Sequence, residues 1–266
     1  MPHPIDAATL IADSIPSTGF STATPRPVVL SRQDRSSSRA KSTLQAAVTG
    51  WFVVAGLGQL MFVAYLFGFY GRTAVLGRFE AWNQVFQRAH VAGDTGPNAV
   101  VAMHLAFAAL ITVGGLLQLM TGVRRWFPRF HRWNGRAYLV SAFVMGLGGL
   151  AMVWTGTNVG DISQQIAISI NAVLIMLCAV MVLRHALARR FALHRRWALR
   201  LFLVVSGVWF FRIGLALWIM VNQGPAGFDP DTFTGPALTV IAFAQYLLPL
   251  AVLQLSGGAP AKIALT

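Results

Sequence analysis

From residue 46 onward the chain is built of apolar blocks separated by short polar or basic connections. A bilayer's hydrocarbon core takes about 20 helical residues to cross. Six blocks meet that length: Ala46–Tyr70, Asn98–Met120, Ala137–Thr155, Ile162–Leu183, Leu199–Val221 and Pro236–Leu255. They are continuously apolar and show no two-residue alternation, which argues against a transmembrane barrel. The pattern predicts an all-α polytopic bundle of six spans over residues 46–256. Residues 1–45 are rich in Ser, Thr, Pro and Arg, and Thr9-Leu10-Ile11-Ala12 is too brief for the core of a secretory signal. They are expected to form a disordered tail, and 257–266 a short C-terminal one.

Only 11% of the 266 residues are charged, against about 25% in a soluble domain. The net charge of +13 would invite a nucleic-acid reading in a soluble protein. Here the basic residues gather at helix ends, so the partner they imply is the lipid bilayer. With six spans, one side collects Arg124, Arg125, Arg129, Arg132 and Arg136 with Arg184, Arg189, Arg190, Arg195, Arg196 and Arg200, beside the basic tail. The other side holds Arg72, Arg78 and Arg88 and every acidic residue outside the tail. The positive-inside rule then places both termini in the cytoplasm. Cys178 is the single cysteine, so neither an intrachain disulfide nor a Cys-based zinc site can form.

Two of the basic connections are near-copies. His131-Arg132-Trp133-Asn134-Gly135-Arg136 and His194-Arg195-Arg196-Trp197-Ala198-Leu199-Arg200 each follow an Arg-Arg pair and open an outgoing helix. Spans two–three and four–five therefore read as hairpins in parallel orientation, either duplicated or alike because both cytoplasmic turns need Arg. His131 and His194 could ligate a haem b iron from both sides, with Arg132 and Arg195 on its propionates. Equally, these groups could meet lipid phosphates and cap helix ends. No Cys-x-x-Cys-His occurs, so c-type attachment is excluded.

A second set lies inside the spans. Arg212 stands within the fifth, where an Arg near the bilayer centre costs about 2.5–3.5 kcal/mol and calls for a partner or a protein-facing position. His104, Ala108, Ile111, Gly115 and Gln118 share one face of the second span, which should turn inward. Gln164, Gln165, Ser169 and Gln245 could reach the same region. No span carries Asp or Glu, so a carboxylate proton relay is not expected. His104, Gln118, Arg212 and Gln245 form the candidate substrate site. A quinone head group or a small organic anion would suit Arg212, and a purely structural Arg–His–Gln network is the plain alternative. Phe79, Trp82, Val85 and Phe86 predict an amphipathic interfacial helix in the first outer loop, an anchor or else a lid. Gly114-Gly115, Ala142, Gly146 and Gly149 are expected to let helices pack closely.

The run His104-Leu105-Ala106-Phe107-Ala108-Ala109-Leu110 through Leu117-Gln118, then Pro128-x-x-His131-Arg132-x-x-Gly135-Arg136-x-Tyr138, resembles a widespread bacterial family of multi-pass membrane proteins of unknown function. The second hinge with Arg212 downstream is similar to that family's other signature, with Ala198 where Met is common. The resemblance spans roughly Gly71 to Val221. It implies a plasma-membrane, hence bacterial inner-membrane, protein and supplies no activity. A looser analogy joins the chain to six-helix b-type cytochromes fed by ascorbate, but His104 has no His counterpart on span four. Three readings follow: a redox-linked protein binding haem b or quinone, a small-anion permease, or a non-catalytic scaffold or assembly subunit. No catalytic motif decides whether it is an enzyme, and oligomeric state stays open.

Overall fold

A computed structural model of the protein describes residues 50, 53–85, 89–155 and 160–255. The expected tails, 1–45 and 257–266, lie outside these residues. Eight helices carry the described chain: α1 Val53–Val75, α2 Thr95–Leu119, α3 Thr121–Trp126, α4 Pro128–Trp154, α5 Ile162–Leu187, α6 Phe191–Val205, α7 Gly207–Asn222 and α8 Pro236–Leu255. Among the described residues there is no strand, only an isolated bridge between Asp229 and Thr234.

Five helices are long and apolar enough to cross a bilayer alone: α1, α2, α4, α5 and α8. α6 and α7, bent by 48° at their junction, meet the same criterion only as a pair, which gives five crossings, or six if the pair forms one broken span. The all-helical, multi-span architecture thus agrees with the sequence pattern. The expected fifth span, Leu199–Val221, is divided between two helices instead of lying in one. Its break falls at Ser206-Gly207, the kind of Ser/Gly pair at which helices kink. The Ser206 carbonyl accepts the N–H groups of both Trp209 and Phe210, and the Ser206 N–H donates back to Phe202. Its side-chain Oγ accepts from Gln59 Nε2 of α1 at 2.9 Å. Two orphaned polar groups inside the bundle thereby satisfy one another. Gln59→Met should lower the unfolding free energy in detergent by about 0.6–1.7 kcal/mol, read as a lower denaturant midpoint.

α2 packs on α4, α4 on α5, α5 on α6, and α8 on α5, α6 and α7. The main core joins Ile111, Tyr138, Ala142, Ile175, Cys178, Ala179, Val182, Leu201, Val204 and Tyr246. A second cluster ties Val63, Leu66 and Tyr70 of α1 to Trp82, Ala89, Val101 and Ala109. The outward positions are also apolar, as in Val173, Leu177 and Val180 of α5, which suits lipid contact.

Glycine governs the close approaches. A Cβ on Gly115 would sit 2.9 Å from Tyr138 Cε2 and 3.3 Å from Phe202 Cδ2, so α2 meets α4 and α6 only because that position is bare. Gly146 likewise faces Met176 and the Ala172 carbonyl. Gly149 has open space beside it, which corrects its expected packing role.

The first outer loop differs from expectation. Phe79–Gln84 is a short 3-10 helix, not an amphipathic α-helix. Trp82 is buried and turned to the protein: its ring packs on Tyr70 and Phe79, and Nε1 donates to Thr73 Oγ1 at 2.8 Å. Asn83 clamps the backbone of His90 and Asn98 that of Val91, each by two hydrogen bonds. Phe86 and Arg88 lie outside the described residues. On the same side of the sequence pattern, Asp229 accepts the Asp231 N–H, a bond that holds its carboxyl below the usual range.

Candidate functional site

Several polar side chains inside the bundle line a cavity of about 260 Å³. Its wall is mostly apolar and aromatic, with Phe62, Tyr70, Tyr138, Phe202 and Trp209 among its side chains. The polar members are Gln59, His104, Thr112, Ser206 and Arg212. Val85 and Ala89 of the outer loop also line it, so the loop covers part of the cavity.

His104 and Arg212 meet here as their depths predict. His104 is nine residues inside α2 and Arg212 is ten residues short of the end of α7. At 1.5 Å per residue His104 stands roughly 14 Å from the start of α2 and Arg212 roughly 15 Å from the end of α7, about half the thickness of a hydrocarbon core. Arg212 lines the cavity yet keeps an exposed side chain, which puts it at the rim. Its guanidinium lies 4.8 Å from the centre of the Phe62 ring and interacts electrostatically with Tyr70. The Nδ1 of His104 is buried and has no hydrogen-bond partner, and the same holds for the Tyr138 hydroxyl. Buried polar atoms without partners are rare in folded proteins, so two in one cavity wall mark a place shaped for something else to complete.

The inward stripe on α2 runs as expected. His104, Ala108 and Ile111 line the cavity, Gly115 takes the Tyr138 ring, and Gln118 donates to the His131 carbonyl at 2.9 Å. Gln118 therefore braces the first hinge and does not line the cavity. Gln245, buried in α8, donates to the Ala242 carbonyl and flanks Gly207 from outside the lining set. Asp161 caps α5 by accepting the Gln164 backbone N–H, and the Gln164 side chain donates to the Phe233 carbonyl. Ser169 binds the Gln165 carbonyl and accepts from Trp154. Gln59, Thr112, Ser206, Tyr70 and Tyr138 are polar-tipped members that spacing arguments missed. Gln59 carried the clearest signal, a lone amide in Leu57-Gly58-Gln59-Leu60.

The twin hinges occupy equivalent positions. His131 is the fourth residue of α4 and His194 the fourth of α6, and each backbone N–H donates to the residue before its helix, at 3.0 and 2.9 Å. Trp133 and Trp197 each carry an arginine over the ring, Arg136 and Arg200, both at 5.0 Å. His131 lies within electrostatic reach of Arg124 and His194, so the two hinges converge. Nδ1 of His194 bonds the Val182 carbonyl at 3.1 Å, and Nδ1 of His131 is buried without a partner. Neither histidine lines the 260 Å³ cavity. The break also separates His194 on α6 from Arg212 on α7, so one continuous helix does not carry both.

Convergent polar groups at mid-depth in a bundle of apolar helices define a multi-pass membrane protein with an internal ligand-sized cavity. The chain belongs to the family described as "Predicted membrane protein (DUF2306)", whose profile matches residues 101–252. That range takes in His104, both hinges, Arg212 and most of the last helix. No curated protein and no solved structure matches the chain at a significant level.

Proposed function

We propose that the protein binds a lipophilic quinone in the His104–Arg212 cavity, in a bacterial inner membrane with the arginine-rich hinges and both termini on the cytoplasmic side. The observation that carries this reading is an aromatic, apolar cavity whose wall holds both Arg212 and His104, a histidine with a buried, unpartnered Nδ1. A quinone offers what that wall lacks: two carbonyl acceptors on a flat apolar ring, with a tail that remains in lipid. Arg212 would donate to one carbonyl and His104, protonated on Nδ1, to the other. Pockets of this kind use a few placed polar groups in an apolar lining to fix orientation. The proposal concerns binding; reduction would need an electron donor that these residues do not supply.

Haem b at His131 and His194, with Arg132 and Arg195 on its propionates, is the weaker reading, since the cavity with room for a ring has a single histidine in its wall. The permease reading keeps one supporting observation: Arg212 lies in a bundle whose spans contain no carboxylate, so a small organic anion would also suit it.

Titration of the purified protein with a short-chain ubiquinone, followed by tryptophan fluorescence, tests the proposal through Trp209 in the wall. Saturable quenching that weakens in His104→Ala supports it. Linear quenching, or quenching untouched by that change, removes it. A Soret band lost in His131→Ala would favour haem instead, and Arg212-dependent anion uptake into proteoliposomes would favour transport.

A further inference from the structure

The level of His104 in the bundle decides what else a ring bound beside it can touch. The His104 Nδ1 lies 3.7 Å from where a Cβ on Gly148 of α4 would stand. Met145 and Met152, three residues before that glycine and four after it, share its helix face and line the cavity. On α2 the lining positions around His104 are Val101, Leu105 and Ala108. Phe62 and Leu66 of α1 and Val208 and Trp209 of α7 complete this part of the wall. Of these side chains only Trp209 has a polar atom. Its Nε1 is set against Gly58 of α1, where a Cβ would be 2.8 Å away.

The remaining polar groups of the wall are already bonded or lie deeper. The Thr112 hydroxyl donates to the Ala108 carbonyl at 2.7 Å, and Gln59 Nε2 donates to Ser206. Ser206 is six residues before Arg212, roughly 9 Å further in at 1.5 Å per residue. The Tyr138 hydroxyl lies 3.3 Å from where a Cβ on Gly115 would stand. Gly115 is eleven residues past His104 on α2, roughly 16 Å deeper, which is beyond the reach of one quinone ring. The Tyr70 hydroxyl interacts with Tyr65 and Arg212. Among the described residues, His104 and Arg212 are therefore the donors left for a ring at this level.

Two donors match a ring with two oxygens. A naphthoquinone has two carbonyls and no other polar atom, and its second ring is flat hydrocarbon that packs well on aromatic and methionine side chains. A ubiquinone-type benzoquinone carries two methoxy oxygens besides its carbonyls. In this wall they would be buried without donors, which costs affinity. We infer, resting on the quinone reading above, that the cavity selects a naphthoquinone over a methoxylated benzoquinone, with Met145 and Met152 as the wall that discriminates.

Equilibrium dialysis of the full chain, corrected for partition into detergent micelles, tests this with two probes that carry the same single isoprenyl chain. One is the naphthoquinone and the other the dimethoxy benzoquinone. The wild type is expected to hold the naphthoquinone about tenfold more tightly or better. Met145→Gln places an amide donor in the discriminating wall and should lower that ratio by about threefold or more. Met152→Gln serves the same end if the first variant fails to fold. His104→Ala should weaken both probes alike, since both use it for a carbonyl. Equal affinities, tighter binding of the benzoquinone, or a ratio that neither glutamine variant moves would overturn the selectivity and leave quinone binding standing. If neither probe binds saturably, the quinone reading fails and the selectivity with it.

Discussion

Arg212→Ala is expected to weaken quinone binding by about 10- to 100-fold without weakening the fold. A hydrogen bond from a charged donor contributes about 1.5–3 kcal/mol, and Arg212 is the one arginine or lysine among the cavity's described lining residues. Stability should move the other way. An Arg at this depth costs about 2.5–3.5 kcal/mol to place in a bilayer. The contact with the Phe62 ring returns only about 0.5–2 kcal/mol. Alanine should therefore leave the unfolding midpoint level or raise it while the affinity falls. A structural network would behave oppositely, losing stability with Arg212 and having no affinity to lose. Arg212→Lys should recover part of the binding, since a lysine keeps the charge but offers fewer donors in a less fixed geometry.

Gly115→Leu is expected to cost about 3 kcal/mol of stability, and Gly115→Ala about 1 kcal/mol or more. The neighbours make this position severe. Tyr138 and Phe202 are both buried, and the added Cβ alone would stand 2.9 Å from the tyrosine ring. Relief requires one of the rings to shift, toward the cavity or with its helix. Because Tyr138 and Phe202 also line the cavity, displacement of either should reshape it, so binding should fall together with stability. Gly149→Ala is the matched control: open space surrounds that position, and its melting midpoint should stay close to wild type. Thermal unfolding in one detergent compares all three variants.

The lengths of the apolar blocks were enough to read the bundle, because a bilayer demands about 20 residues per crossing whatever the packing. The choice of inward faces was less legible. Lipid and protein core are both apolar, so a helix such as α5, with Ala172, Ile175 and Ala179 inside and Val173, Leu177 and Val180 outside, shows little contrast between its two faces. Only polar and small residues betray the interior, and the His104–Gly115–Gln118 stripe did so correctly. Depth likewise brought His104 and Arg212 to one cavity.

What spacing could not show was which partner each amide takes. Gln118 and Gln245 read as site residues, but each finds a backbone carbonyl close at hand. The break at Ser206-Gly207 was hidden within an apolar run because its stabilising partner, Gln59, is 147 residues away. Trp82 misled for a related reason. Its spacing with Phe79 and Val85 looked amphipathic, whereas its indole N–H is held by Thr73 and its ring by Tyr70.

The central claim is that a quinone occupies the space between His104 and Arg212. Photo-crosslinking the protein in nanodiscs with an azido-quinone, followed by peptide mapping, tests it most directly. Labelling confined to the α2 segment around His104 and the α7 segment around Trp209–Arg212, and displaced by excess unlabelled quinone, is the predicted result. Labelling spread over the lipid-facing helices and indifferent to competitor, or centred on the His131 and His194 hinges, would contradict it.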